Sequence, residues 1–216
     1  MAQLNIVLIG PQGSGKGTQA AKISAAYGIP AVSTGDLFRT HIQNESPIGA
    51  KIKEYINAGK LAPSELTNRI VAERLDKDDV SGGVILDGYP RDVEQLAALD
   101  ALRPVSHVIL LDLPDDVAVE RLSARLTCQK CGAVYNTITN PPTAEGICDK
   151  CGGALIQRDD DKPSAIRERL KIYHADTEPV LAAFEQKGLV RKIYAAGSID
   201  DVFAEIKAIL GPVSNR

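Results

Sequence analysis

The chain has 216 residues, is 44% hydrophobic and 25% charged, and carries a net charge of −3. That length suits one domain with a sizeable core, and the mild negative charge gives no general affinity for nucleic acid or a membrane surface. No apolar run approaches the roughly 20 residues of a membrane span, and the N-terminus lacks the basic region of a secretory signal, so a cytoplasmic enzyme is expected. In chain order, Leu4–Ile9 reads as a buried strand, followed by Gly10-Pro11-Gln12-Gly13-Ser14-Gly15-Lys16-Gly17-Thr18 and a helix over about 15–27. A strand, a glycine-rich turn and a helix make a phosphate cradle, because backbone N–H groups of the loop and helix start point at the anion. Lys16 adds a point charge at the outer phosphates, so a nucleoside triphosphate is the implied ligand. The generic pattern G-x-x-x-x-G-K-[ST] is met except that Gly17 stands where the hydroxyl is expected, Thr18 carrying it one position late. That departure weighs against a direct hydroxyl contact to magnesium.

Further strands are expected at Ala31–Val32, Val84–Leu86, His107–Leu111 and Leu189–Tyr194, with helices over about 64–77, 92–102, 115–126, 164–186 and 199–210. Leu66, Ile70, Val71 and Leu75 give the helix at 64–77 one apolar face, and Pro179 should break the segment 164–186. Strand–helix alternation predicts an α/β fold, an open parallel sheet with helices on both faces. Two stretches do not fit the alternation. Residues 33–62 carry short helices without a strand, and residues 127–160 are rich in Cys, Gly, Pro and polar residues. Both read as insertions that would overhang the phosphate site from the C-terminal edge of the sheet.

The second insertion holds all four cysteines, Cys128, Cys131, Cys148 and Cys151, as C-x2-C-x16-C-x2-C. This spacing suits a tetrahedral four-thiolate zinc site. Two disulfides would be reduced in a cytoplasmic protein, and a redox motif would not come in duplicate. Four protein ligands leave no open position, so the metal would be structural, stapling an insertion poor in apolar residues. A zinc-ribbon nucleic-acid module is disfavoured, because Lys130 and Lys150 are balanced by Glu145 and Asp149 and no basic stripe exists. His41, His107 and His174 form no sequence cluster and read as structural or surface residues.

Three more strings carry chemistry: Ser33-Thr34-Gly35-Asp36-Leu37-Phe38-Arg39, Leu86-Asp87-Gly88-Tyr89-Pro90-Arg91 with Gln95 beyond it, and Arg158-Asp159-Asp160-Asp161 before Arg167 and Arg169. Singly, Thr34 could be a helix N-cap, residues 87–90 a turn and the arginines a solvated face. Taken in order with the glycine loop, with residues 57–63 (NAGKLAP) and with the four cysteines, they make the whole chain resemble the adenylate kinases, of the long-lid type with a zinc-binding lid. One departure is that the family often has proline at the position of Gln12, whereas Pro11 precedes it here.

The resemblance implies one adenylate kinase domain over 1–216. It is a P-loop kinase core with a central five-stranded parallel sheet flanked by helices, plus an AMP-binding flap over 33–62 and a zinc-binding lid over 125–161. It implies reversible, Mg²⁺-dependent phosphoryl transfer from ATP to AMP giving two ADP, a role in purine nucleotide homeostasis, and a monomer. By resemblance, Gly13, Ser14, Gly15, Lys16, Gly17 and Thr18 hold the ATP phosphates, with Arg121, Arg125, Val134, Tyr135 and Ile199 completing the ATP site. The AMP site is expected from Thr34, Arg39, Lys60, Leu61, Ala62, Gly88, Tyr89, Pro90, Arg91, Gln95, Arg158 and Arg169. Gln95 would read the adenine edge, Arg39 and Arg91 would hold the α-phosphate, and the bond to Pro90 is cis in the family. Lys16, Arg91, Arg125, Arg158 and Arg169 are the expected catalytic cations, Asp87 would orient Mg²⁺ through water, and Asp160 and Asp161 match aspartates of the lid hinge. Other acceptors such as UMP or CMP are the nearest rival, GTP remains an alternative donor, and a nucleotide-switched binding protein is the rival of a different class.

Overall fold

The computed structural model describes residues 3–57 and 60–212. Its centre is a parallel sheet of five strands, β1 (Leu4–Ile9), β2 (Ala31–Ser33), β3 (Gly83–Asp87), β4 (His107–Asp112) and, numbered by chain order, β8 (Val190–Tyr194). They lie in the order β2-β3-β1-β4-β8. Alternate side chains of the central strands face opposite ways, as a strand requires. Val7, Ile9, Val84, Leu86, Val108 and Leu110 enter one core, while Ile6, Leu8, Ile85, Ile109 and Leu111 enter the other. Both faces are therefore dry, which is why these strands read as continuous apolar runs and not as an alternation. Each such side chain contributes about 1.5–3 kcal/mol when fully buried.

Helices α1 (Lys16–Tyr27), α4 (Ser64–Leu75) and α5 (Val93–Leu102) connect the first four strands, with α2 (Thr34–Gln43) and α3 (Pro47–Asn57) inserted after β2, and α6 (Asp115–Ser123) follows β4. Ile52, Phe38, Ala62 and Ile70 give that insertion a small core of its own. Ser33, not Thr34, caps α2 by accepting the Asp36 N–H, and the Asp92 and Ser198 side chains cap α5 and the last helix, α9 (Ile199–Leu210), in the same way.

The sequence places a helix over 115–126, but α6 stops at Ser123 and the chain turns into a strand, β5 (Arg125–Cys128). This strand pairs antiparallel with β6 (Val134–Asn136) and β7 (Leu155–Ile156) to form a second sheet. Hydrophobic periodicity did not signal it, because these strands are two to four residues long and half exposed. The segment 164–186, expected to break at Pro179, is two helices, α7 (Pro163–Ile172) and α8 (Glu178–Gln186), joined by a π-turn over Tyr173–Thr177, just before that proline. Pro179 sits in the first turn of α8, where its missing N–H is an orphan in any case.

Candidate active site

A parallel sheet points every strand's C-terminus at one edge, and ligands gather there. The loop after β1, Ser33 at the end of β2, Asp87 at the end of β3 with Gly88 beyond it, and the turn Ala195–Ser198 after β8 all open on one cleft of about 1570 Å³. The glycine loop forms its floor. Gly10 has φ 150°, and a Cβ there would sit 2.4 Å from the Leu111 carbonyl oxygen, so the loop can press against β4 only without a side chain. Lys16 folds back over the loop and donates to the Gly10 and Pro11 carbonyls at 2.7 and 2.8 Å. Burial, assisted by Arg91, Arg169 and Arg125, lowers its pKa to about 7 against the opposing pull of Asp87. Gln12, Ser14 and Gln19 each keep a buried side-chain oxygen without a hydrogen-bond partner among the described residues, leaving polar capacity beside the loop.

The wall beside β2 and β3 is built on Gly88. Its carbonyl accepts the Thr34 hydroxyl and the Arg91 Nε–H, both at 2.9 Å. Arg39 pairs with Asp36, and Lys60, Leu61, Ala62 and Pro90 continue the same wall. The Tyr89–Pro90 peptide is cis. Tyr89 itself does not line the cleft: its ring is buried in the core below and its hydroxyl donates to Asn68 Oδ1 at 2.8 Å. Gln95 does line the cleft, but its amide is engaged. Its Oε1 accepts the Arg91 N–H at 2.9 Å, and its Nε2 donates to Asp92 Oδ2 at 2.8 Å and Ser64 Oγ at 3.3 Å.

On the opposite side Arg121 donates to the Ala195 and Ala196 carbonyls at 2.8 and 3.1 Å, and Gln19 donates to the Ile199 carbonyl at 2.9 Å. These bonds fix the turn before α9. Val134 and Tyr135 of β6 also line the cleft. Arg91, Arg125, Arg158 and Arg169 also line the cleft, and Arg125 lies near enough to Arg158 and Arg169 to repel their charges. Burial lowers the pKa of Arg158 and of Arg169 to about 10, which leaves both cationic at neutral pH. Arg125 forks onto the buried Asp161, Arg169 holds Asp160 at 2.9 Å, and Arg158 donates to Thr127 Oγ1 at 2.8 Å. The Asp87 carboxyl makes no hydrogen bond among the described residues, and burial raises its pKa against Lys16 and Arg91.

Sequence reading missed Thr177. It sits in the π-turn, lines the cleft and donates its hydroxyl to the Arg91 carbonyl at 2.9 Å. Only the irregular backbone, which π-turns often contribute to functional sites, brings it there, and no local pattern announces it. Asn136 was missed as well; its amide donates to the Arg121 carbonyl at 2.9 Å and its Oδ1 accepts the Ile138 and Thr139 N–H groups. The histidines stay apart: His41 meets Ser46, His107 meets Ser106, and His174 joins Asp115 to Glu178.

The four cysteine sulfurs all lie within 4.8 Å of one another, with Cys128–Cys151 at 3.5 Å and Cys131–Cys148 at 3.6 Å. A tetrahedron of zinc–sulfur bonds near 2.3 Å has sulfur edges of about 3.8 Å, so the donor set fits that ion. Gly153 is required by this closeness, since a Cβ there would stand 3.0 Å from Cys128 Sγ and 2.9 Å from Lys130 Cβ.

Among known families, the model described as "Adenylate kinase" matches residues 8–189. Proteins named adenylate kinase are similar over nearly the full length. That of Geobacillus sp. (strain WCH70) is 46% identical over 96% of this chain and 99% of its own. That of Methanothrix thermoacetophila is 45% identical over 96% and 98%, and that of Enterococcus faecalis 44% identical over 96% and 99%.

Proposed function

The chain belongs to the adenylate kinase family of nucleoside monophosphate kinases, and on that premise we propose that it interconverts ATP plus AMP with two ADP. The supporting observation is a single cleft lined by the glycine loop, by the polar residues around Gly88 and by Arg91, Arg125, Arg158 and Arg169. One wall would hold the donor and the other the acceptor, so that their phosphates meet at the cations.

In the forward reaction an AMP α-phosphate oxygen attacks the ATP γ-phosphorus, and the bond from that phosphorus to the β–γ bridging oxygen breaks. No proton must move, because the nucleophile is already anionic; catalysis is positioning and charge stabilisation. Lys16 leaves the Gly10 and Pro11 carbonyls for the β- and γ-phosphates. Arg39 and Arg91 hold the acceptor phosphate. Arg125, Arg158 and Arg169 gather the transferred group, whose repulsion from the acceptor they offset, each with a planar fork suited to phosphate. Arg121 and the turn at Ile199 seat the donor base against Val134 and Tyr135. A hard cation such as Mg²⁺ would be held through water by the free Asp87 carboxyl and would neutralise phosphate charge. Gln95 reads the acceptor adenine only by exchanging a present bond, and the 3.3 Å contact to Ser64 is the weakest of the three.

Residues 33–62 act as a flap over AMP and residues 125–161 as a lid over ATP. Their closure excludes water, which would otherwise take the phosphoryl group. The four cysteines hold a structural zinc in the lid. Among the described residues no helix is long and apolar enough to cross a membrane, and we place the enzyme in the cytoplasm as a monomer serving purine nucleotide balance. The test is an acceptor panel: protein, Mg²⁺ and ATP with AMP, UMP, CMP or GMP. Diphosphate formation with AMP alone is expected. Preference for UMP or CMP overturns the base assignment, and no transfer to any acceptor overturns the reading as a whole.

A further inference from the structure

We propose that Tyr135 is a positioning residue of the lid's metal centre, its phenol O–H donating to the Cys148 sulfur and fixing that ligand's orientation. The inference rests on the reading that the four cysteines bind a metal. Tyr135 Oη lies 3.6 Å from Cys148 Sγ and accepts the Asp149 backbone N–H at 2.9 Å. A phenol has one proton. With the amide N–H aimed at its oxygen, that proton is left for the sulfur, and a metal-bound thiolate can only accept. The ring is buried with Cys128, Cys148 and Leu155, and its strand is held to β5 by the pairing of Tyr135 with Leu126. One hydroxyl thus ties the second cysteine knuckle to the sheet twice, through the ligand sulfur of Cys148 and through the backbone of the next residue. Hydrogen bonds of this kind orient ligands and tune the metal. The same residue also borders the cleft, so one side chain joins the metal centre to the donor's wall.

Tyr135→Phe keeps the ring and removes only the hydroxyl. Asp149→Ala is the comparison: it removes the carboxylate that accepts the Thr143 N–H at 3.0 and 3.2 Å, loosening the same loop without touching the sulfur. Three properties are read: metal per chain by elemental analysis, the rate of zinc release to an excess of chelator, and the thiolate-to-metal charge-transfer band of the cobalt-loaded protein. The expected result is one metal per chain in all forms, release from Tyr135→Phe faster by about 10-fold or more, and a band shifted to longer wavelength in Tyr135→Phe alone. Release and band equal to wild type in Tyr135→Phe overturn the proposal, as does an equal band shift in Asp149→Ala. If Tyr135→Phe takes up no metal, the wild-type chain loaded with ¹¹³Cd decides: coupling between the Tyr135 hydroxyl proton and the metal supports the bond, and its absence overturns it. A wild-type chain that binds no metal removes the four-cysteine reading itself, an outcome distinct from a loaded metal with an unmoved band.

Discussion

Asp161→Asn separates a buried charge network from the exposed ion pairs around it. The Asp161 side chain is 0% exposed, and its carboxylate accepts Arg125 Nε at 2.8 Å and Arg169 Nη1 at 3.4 Å. Arg125 and Arg169 are themselves only 17% and 13% exposed. Asparagine keeps the shape but removes the charge and turns an amide donor toward a guanidinium. Removing one partner of a buried pair costs about 3–5 kcal/mol, since the other charge is left uncompensated. Asp160, still 2.9 Å from Arg169, offsets part of this and sets the loss at about 3 kcal/mol. For a chain of this size that corresponds to a fall in melting temperature of about 6–12 °C. Asp159→Asn, two residues away, is the internal control. Asp159 pairs with Lys162 at 2.7 Å, but both side chains are about two-thirds exposed, and such pairs contribute about 0–1 kcal/mol. Calorimetric melting of the nucleotide-free protein at pH 7 is the assay. A fall for Asp161→Asn no larger than that for Asp159→Asn would refute the reasoning.

Lys16→Met should abolish most phosphoryl transfer while leaving the melting temperature of the empty protein close to wild type; near-normal turnover would contradict its place at the phosphates. With a pKa of about 7 in the empty protein, Lys16 is mostly neutral at pH 8, and anionic phosphates restore its charge. ATP binding should therefore take up close to one proton at pH 8 and about 0.1 at pH 6. Calorimetry in buffers of different ionisation enthalpy reads this, and an uptake that does not grow with pH counts against it. The Glu178 and Asp115 carboxylates raise the His174 pKa. A raised basic group adds stability below its unfolded pKa and loses it as pH rises through the folded one. His174→Gln should thus lower melting slightly at pH 6 and not at pH 9, whereas an equal loss at both would exclude the ion pairs. Cys128→Ser should lower the melting temperature more than it lowers activity in the cold, with the zinc content falling in parallel; unchanged melting and metal would remove the structural role.

The glycine loop and the cysteine pairs were legible because each is a local device: spacing alone fixes which backbone N–H groups or sulfurs converge. Strands β1, β3 and β4 were legible because burial on both faces leaves a continuous apolar run. What escaped depends on partners distant in the chain. Arg125–Cys128 has no strand pattern of its own and becomes one only against residues 134–136 and 155–156. Thr177 reaches Arg91, 86 residues earlier, through a π-turn. Tyr89, expected in the site by resemblance, packs its ring into the core, which no local pattern signals.

The central claim is that one cleft holds donor and acceptor at once with their phosphates joined at the arginine cluster. Two adenosines linked 5′ to 5′ by five phosphates would span both walls as a single ligand. Titration calorimetry should give one molecule per chain, tighter than ATP or AMP by at least about 100-fold because the second half binds at high effective concentration, with both nucleotides displaced. Two molecules per chain, or an affinity no better than that of ATP, would contradict the account.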